Sequence, residues 1–252
     1  MLTAENVSKT YRNGTGREIA AIEYLDFEIS PAEFVCILGS SGCGKTTTLR
    51  LIAGLEKPSS GHIRLNGRKI TGPGPERCVV FQQYTLFPWR PVLKNIAFGL
   101  EMQGMKKSNR GRIAKQYLEL VGLGGFGHAY PYELSGGMQQ RVAVARALAA
   151  NPRILLMDEP FGALDAQTRR TLQNELIRIW QRSEKTILFV THSVNEAVFL
   201  ADRIIVMKSN PGRISAVIEN PLPRPRQENL ASTRDFRETV RQRIESSGCE
   251  YA

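Results

Sequence analysis

The chain has no run of about 18 apolar residues, so no segment is long and greasy enough to cross a bilayer as a helix. Residues 1–14 (MLTAENVSKTYRNG) contain no apolar h-region, and a cleaved secretory signal is not expected. Cysteine is scarce: Cys36, Cys43, Cys78 and Cys249 are the only four, and no two show C-x-x-C spacing. That excludes a zinc ribbon and a dense disulfide scaffold and fits a reducing cytosol. There is no block of five like charges, hence no basic tail, and no internal repeat or low-complexity stretch.

The 252 residues present allow one large domain or two small ones, and the 42% apolar share is enough for a sizeable core. Lys and Arg number 34 against 24 Asp and Glu, a net +10. This balance suits anionic partners such as nucleotide phosphates, nucleic acid or an acidic membrane surface. A well-solvated surface carries the same balance, so charge alone leaves both readings open.

Four short apolar runs stand out at residues 34–38, 154–157, 187–190 and 204–207. They are continuous rather than alternating, as strands covered on both faces are, and this predicts a parallel sheet between helices. Leu172, Leu176 and Ile179 recur at helical spacing, as do Ile113, Tyr117 and Leu120. Gly54 is placed to stop a helix over 46–53 in a left-handed cap. Residues 18–29 and 62–70 are shorter and partly alternating, and Asn66-Gly67 is a hairpin signal, so an antiparallel β layer is expected beside the parallel core. Residues 100–130 read as mostly helical with glycine-rich breaks at 122–127. Pro221–Pro225 marks the end of the compact body, and residues 226–252 are polar, forming a helix or a mobile tail.

Gly39-Ser40-Ser41-Gly42-Cys43-Gly44-Lys45-Thr46 matches G-x-x-x-x-G-K-[ST] between an apolar strand and a helical pattern. Glycines let the backbone N–H groups converge on phosphate oxygens, and the helix N-terminus adds partial positive charge. Lys45 suits the β- and γ-phosphates, Thr46 suits Mg²⁺, and Thr47 continues the site. The Cys43 thiol takes no catalytic role, because backbone groups act there. A second half of such a site needs a carboxylate at a strand end, and Asp158-Glu159 after the run 154–157 supplies it. Asp158 is expected in the Mg²⁺ shell. Glu159, one residue on in extended chain, is expected to point the other way and polarise an attacking water.

Leu134-Ser135-Gly136-Gly137-Met138-Gln139-Gln140-Arg141 lies about twenty residues before that carboxylate pair and resembles the signature of ABC ATPases. The other landmarks of that family follow in order over about residues 2–220. Tyr11 matches the adenine-stacking aromatic, Gln82 the Q-loop glutamine, Asp165 in Gly162-Ala163-Leu164-Asp165 the D-loop, and His192 the switch histidine. Met138 departs from the commonest signature, which has Gln there. Gly72-Pro73-Gly74, Leu86-Phe87-Pro88-Trp89 and Phe161–Asp165 are similar to the importer ATPases for nitrate, sulfonate, taurine and bicarbonate, most of all those for taurine or alkanesulfonates.

The resemblance implies an α/β fold of P-loop NTPase type, with a RecA-like core, an antiparallel β layer and a helical insertion at about 88–150 within a domain spanning 1–220. Residues 221–252 are then a short C-terminal extension without a regulatory β domain. It implies hydrolysis of Mg-ATP: Glu159 acts on the water, His192 contacts the γ-phosphate and that water, and Gln82 meets Mg²⁺ or water and reports occupancy. Two copies are implied to pair head to tail, each site taking Lys45 and Glu159 from one chain and Ser135, Gly136 and Gly137 from the other. The implied partners are permease subunits in the cell (inner) membrane, at whose cytoplasmic face the chain sits peripherally, and through them an external solute-binding protein. Tyr84, Phe87 and Trp89 are read as core or as the docking surface for a permease helix. A non-transport ABC ATPase acting on nucleic acid would also suit the charge. Such chains carry long coiled coils between the two nucleotide motifs, and the roughly 110 residues here show no sustained heptads, so nucleic acid is not an expected partner.

Overall fold

The computed structural model describes residues 1–12, 14, 16–83, 85–162, 164–182, 185–227 and 229–246. Tyr84 lies outside the described residues, as does Ala163 of the D-loop motif. In chain order the elements are β1 (Leu2–Arg12), β2 (Glu18–Ile29), β3 (Phe34–Gly39), α1 (Lys45–Ala53), β4 (Ser60–Leu65), β5 (Arg68–Lys69) and β6 (Arg77–Val80). Then come α2 (Val92–Ile96), α3 (Phe98–Met102), α4 (Lys107–Leu120), α5 (Gly136–Ala149), β7 (Ile154–Asp158) and α6 (Ala166–Arg182). The chain continues with β8 (Thr186–Thr191), α7 (Val194–Leu200), β9 (Arg203–Lys208), β10 (Arg213–Glu219) and α8 (Ala231–Ser246). These elements fall into two compact units, one of Met1–Gly74 with Thr186–Ala252 and one of Pro75–Lys185.

The first unit holds an antiparallel sheet in the order β2-β1-β4-β5. The predicted hairpin is there: Leu65 pairs with Arg68, and the two residues between, Asn66 and Gly67, have φ of 50° and 76°. Positive φ at both central positions is what a type I′ turn needs, and its twist matches the strands it joins. The unit also holds the run β10-β9-β3-β8, in which β3 pairs parallel with both β8 and β9 and β10 is antiparallel. All six residues of β3 and all six of β8 are buried, which is why those runs are continuously apolar. The segment after Pro225 is a helix rather than a tail over Ala231–Ser246; α8 packs on α7 and β10 and buries Val240 and Ile244.

The second unit pairs β6 with β7 in parallel, Val80 opposite Met157. Its helices close around Val92 and Ile96 of α2, Ala114 and Leu118 of α4, and Val142, Ala145 and Ala149 of α5. The alanines of α5 recur at i, i+4, and their small side chains let α2 and α4 approach closely. On α4 the buried line runs through Ala114 and Leu118, with Ile113 and Tyr117 partly buried beside it. The apolar face therefore sits one residue round from the spacing Ile113–Tyr117–Leu120. Truncating Leu118 to Ala in such packing costs about 2–5 kcal/mol.

Candidate nucleotide site

In the first unit the phosphate loop is shaped by what its glycines lack. A Cβ on Gly39 would lie 2.5 Å from Cys43 Sγ and 2.6 Å from the Met207 carbonyl. The Cys43 thiol is buried, packed against that glycine. Gly42 and Gly44 have φ of 79° and 94°, and Gly44 caps the start of α1. No acidic residue occupies the first turn of α1, so the positive end of the helix stays available to an anion. Thr48 anchors the turn, its N–H and hydroxyl both donating to Gly44 O, at 2.8 and 2.9 Å. Lys45 is buried, and its ammonium donates to Gly39 O at 2.7 Å and Ser40 O at 2.8 Å. Those bonds hold the head of the side chain against the loop. Ser41 and Gly42 are exposed at the rim of the loop and Ser40 is half-buried, as are Thr46 and Thr47 in the first turn of α1.

His192 follows β8 directly and is exposed. The turn after it opens α7. Ser193 Oγ accepts from the Glu196 N–H at 3.3 Å, which is half of a capping box. The reciprocal half runs through Thr191: the Ser193 N–H donates to Thr191 Oγ1 at 3.0 Å, and that hydroxyl donates to the Glu196 carboxylate. Tyr11 stands near the end of β1, 37% exposed, with its hydroxyl donating to Glu56 Oε2 at 2.5 Å. Burial, and then the Glu56 carboxylate holding its proton, lift the phenol above its ordinary pKa.

In the second unit the carboxylate pair sits at the end of β7. Asp158 is the last strand residue and is buried. Glu159 has left the strand with φ 44°, a left-handed conformation for a non-glycine residue. The strand alternation behind its expected orientation therefore does not reach Glu159, because the extended chain ends one residue earlier. Such backbone strain recurs at functional sites. The Glu159 carbonyl accepts from the Gly162 N–H at 3.2 Å, closing a turn. Gln82 is exposed two residues beyond β6, at the same end of the β6–β7 pair as the carboxylates. Ser135 is the exposed N-cap of α5, accepting from Met138 N at 3.3 Å, and Gly136 and Gly137 open the helix. A Cβ on Gly137 would come within 3.2 Å of Leu164. Asp165 accepts from the Thr168 N–H at 2.9 Å ahead of α6, and bonding to Thr168 holds its carboxyl below the usual range.

Two residues near these groups went unread in the sequence. Glu56 anchors Tyr11. Gln140, buried, donates from Nε2 to the Pro160 carbonyl at 2.5 Å and so ties α5 to the turn carrying Glu159. Only the second had a signal, its place in the signature stretch.

Among the described residues no three His, Cys, Asp or Glu side chains cluster to hold a metal. Thr46 in the first unit, and Gln82 and Asp158 in the second, each carry an oxygen donor of the hard type that Mg²⁺ takes while keeping waters and substrate phosphates in its shell.

The second unit also carries a groove of about 580 Å³ whose lining includes Trp89, Lys94, Glu101, Lys107, Arg110 and Tyr130. Trp89 is 71% exposed, which decides against a core role for it. Its ring lies 5.7 Å from Phe87, which packs on Phe98 at 4.6 Å.

Residues 22–162 match the family described as ABC transporter. The chain is 52% identical over 210 residues to a nitrate import ATP-binding protein of Synechocystis, covering 83% of this chain and 79% of that one. It is 43% identical over 247 residues to an aliphatic sulfonates import ATP-binding protein of Bacillus cereus, covering 98% and 97%. The fold is similar to the dimeric post-hydrolysis structure of the ATP-binding cassette MJ0796 bound to ADP and Pi. The TM-score is 0.81 at 34% identity, over 88% of this chain and all of that one. With the phosphate loop, the strand-end carboxylates and the capped signature helix in place, the chain belongs to the ABC transporter family, as one of its ATP-hydrolysing, ATP-binding proteins.

Proposed function

We propose that the protein is the ATPase subunit of an importer for a small oxyanion of the nitrate, bicarbonate or sulfonate type, and that it works as a head-to-tail dimer on the cytoplasmic face of the membrane. The named relatives support the substrate class. The dimeric cassette of similar fold supports the assembly. The observation that carries the reading is the helix start at Ser135-Gly136-Gly137, where an exposed serine caps α5 ahead of two half-buried glycines, an arrangement suited to an anion.

The chemistry is attack of water on the γ-phosphate. Backbone N–H groups of Gly39–Gly44 and the Lys45 ammonium hold the triphosphate, and Tyr11 stacks on the base. Thr46, Asp158 and Gln82 supply oxygen donors to Mg²⁺, which neutralises phosphate charge when bound. Glu159 accepts the proton of the attacking water, His192 donates to the γ-phosphate, and the bond to the β-phosphate oxygen breaks to give ADP and phosphate. Ser135, Gly136 and Gly137 of the second copy close over the γ-phosphate, and Asp165 lies along the contact between copies. The groove at Trp89 receives a cytoplasmic helix of the permease, an exposed Trp being a typical energetic anchor.

Deleting the gene in its native host and following uptake of labelled nitrate, bicarbonate and an alkanesulfonate tests this reading. Uptake of one should fall, and should return with the wild-type gene but not with Glu159→Gln. Undiminished uptake of all three overturns the substrate class.

A further inference from the structure

The helix that starts at the phosphate loop also ends in the turn that reaches Tyr11. α1 stops at Gly54, whose φ of 77° forms a left-handed cap with its N–H on Leu51 O at 3.1 Å. Leu55 and Glu56 donate their N–H groups to Arg50 O at 3.0 and 3.4 Å. A Cβ on Gly54 would lie 2.2 Å from the Gly72 carbonyl, so the turn is fixed in a form only glycine allows. It returns Glu56 alongside α1, 3.5 Å from the Arg50 guanidinium.

From there the Glu56 carboxylate takes the Tyr11 hydroxyl at 2.5 Å and lies 3.6 Å from the Lys9 ammonium. Lys9 donates to Lys57 O at 2.9 Å and stands 5.0 Å over the centroid of the Tyr11 ring. Thr47, in the first turn of α1, works on the same phenol in the opposite sense to Glu56, pulling its pKa down. The ring is thus tethered at its hydroxyl by the turn that closes α1 and covered on one face by a cation.

We propose that Glu56 is a positioning residue for nucleotide binding: its carboxylate fixes the Tyr11 ring through the hydroxyl, Lys9 covers one face, and the adenine stacks on the other. The inference rests on the reading of Tyr11 as the base-stacking residue. The physical gain is preorganisation. A ring already held in place loses less freedom when a base stacks on it, and a hydrogen bond to an ionised carboxylate is strong enough to hold it. Glu56 lies just past the Gly54 cap of the nine-residue helix that starts at the phosphate loop, so the base platform and the loop are anchored at the two ends of the same element.

The test measures affinity for Mg-ATP and for Mg-tripolyphosphate, which has no base, by titration calorimetry on the full chain. Glu56→Ala and Tyr11→Phe should each weaken ATP binding by roughly 3- to 10-fold. The double variant should be no weaker than either alone, since both remove one bond. Tyr11→Ala should lose more, and tripolyphosphate affinity should stay at the wild-type value throughout. Glu56→Gln keeps an acceptor oxygen and should lose less than Glu56→Ala; with Tyr11→Phe it decides the matter if Glu56→Ala folds poorly. Additive losses in the double variant, or an equal loss for tripolyphosphate, would overturn the positioning role. A loss in Tyr11→Ala with none in Tyr11→Phe or Glu56→Ala would overturn it while leaving Tyr11 as the base platform. Unchanged ATP affinity in Tyr11→Ala would remove the platform itself and the proposal with it.

Discussion

Leu38 of β3 stands in register with Thr191 of β8, so Gly39, the last residue of β3, and His192, the first beyond β8, sit at the same end of neighbouring parallel strands. The phosphate loop and the histidine are brought together by strand pairing rather than by a loop, and their relation is as stiff as the buried sheet that sets it. His192→Ala should therefore leave the sheet and ATP affinity close to wild type while removing the proposed donor to the γ-phosphate. Loss of one such donor lowers turnover by roughly 10²–10³-fold. Single-turnover hydrolysis beside an ATP titration separates the two effects. Unchanged turnover would take His192 out of the chemistry.

Glu159 carries its carboxylate from a left-handed backbone position that begins where β7 stops. Gln tolerates that backbone about as well as Glu does, so Glu159→Gln removes charge with little change of shape. Turnover should drop by roughly 10²–10⁴-fold, the usual worth of a general base. Binding should persist, since Lys45, Thr46 and Asp158 are untouched. Size-exclusion chromatography in Mg-ATP should show the dimer accumulating. A variant that hydrolyses ATP at near wild-type rate would count against the base assignment, whatever its oligomeric state.

The parts legible in the sequence are those where one local rule decides the outcome. A strand covered on both faces needs an apolar middle, and β3, β7, β8 and β9 read that way at their centres. A type I′ turn needs two residues tolerant of positive φ, and Asn66-Gly67 announces it. Gly54 announces the end of α1 for the same reason. What stayed hidden depends on partners distant in sequence. The Tyr11 hydroxyl finds Glu56 forty-five residues on. Glu196 sits where a capping box would use it, yet Thr191 takes its carboxylate. The left-handed turn at Glu159 overrides the alternation that a strand-end carboxylate suggests, and nothing in the local residue types signals it. The buried face of α4 is one residue off the apolar spacing because Ala114, a small residue with little pattern weight, fills the contact.

Trp89 is exposed beside Phe87 on a groove edged by Lys94, Lys107 and Arg110. Trp89→Ala deletes a large apolar contact from that surface without opening a core cavity, so the melting temperature should hardly move. If the groove receives the permease helix, stimulation of ATPase activity by the permease should fall by the equivalent of about 2 kcal/mol, a hot-spot loss. Basal turnover should stay near wild type. Equal loss of basal and stimulated rates would make Trp89 part of the ATPase unit and not of a docking surface.

Ser135 caps α5 from an exposed position, and the helix behind it is locked by Val142, Ala145 and Ala149 in the core of its unit. An arginine at 135 adds bulk and charge outside that core, so Ser135→Arg should fold and bind ATP through its own phosphate loop. In a head-to-tail dimer its homodimers would have two obstructed signatures, and turnover should collapse. Lys45→Ala should fail for the opposite reason: its signature is intact, but the cation proposed to hold the β- and γ-phosphates is gone. Mixed together, the two variants form heterodimers with one complete site, built from the phosphate loop of the first and the signature of the second. At equal amounts, random pairing makes about half of all dimers mixed, and each mixed dimer holds one working site of two, so activity should recover to roughly a quarter of wild type if a single site can turn over alone. The recovery should peak at equal proportions and vanish at either extreme. A chain that completes its site alone would instead show no dependence on the mixing ratio beyond simple dilution. The covalently linked pair of Ser135→Arg and Lys45→Ala, with its partner choice removed, distinguishes failure to pair from failure to catalyse.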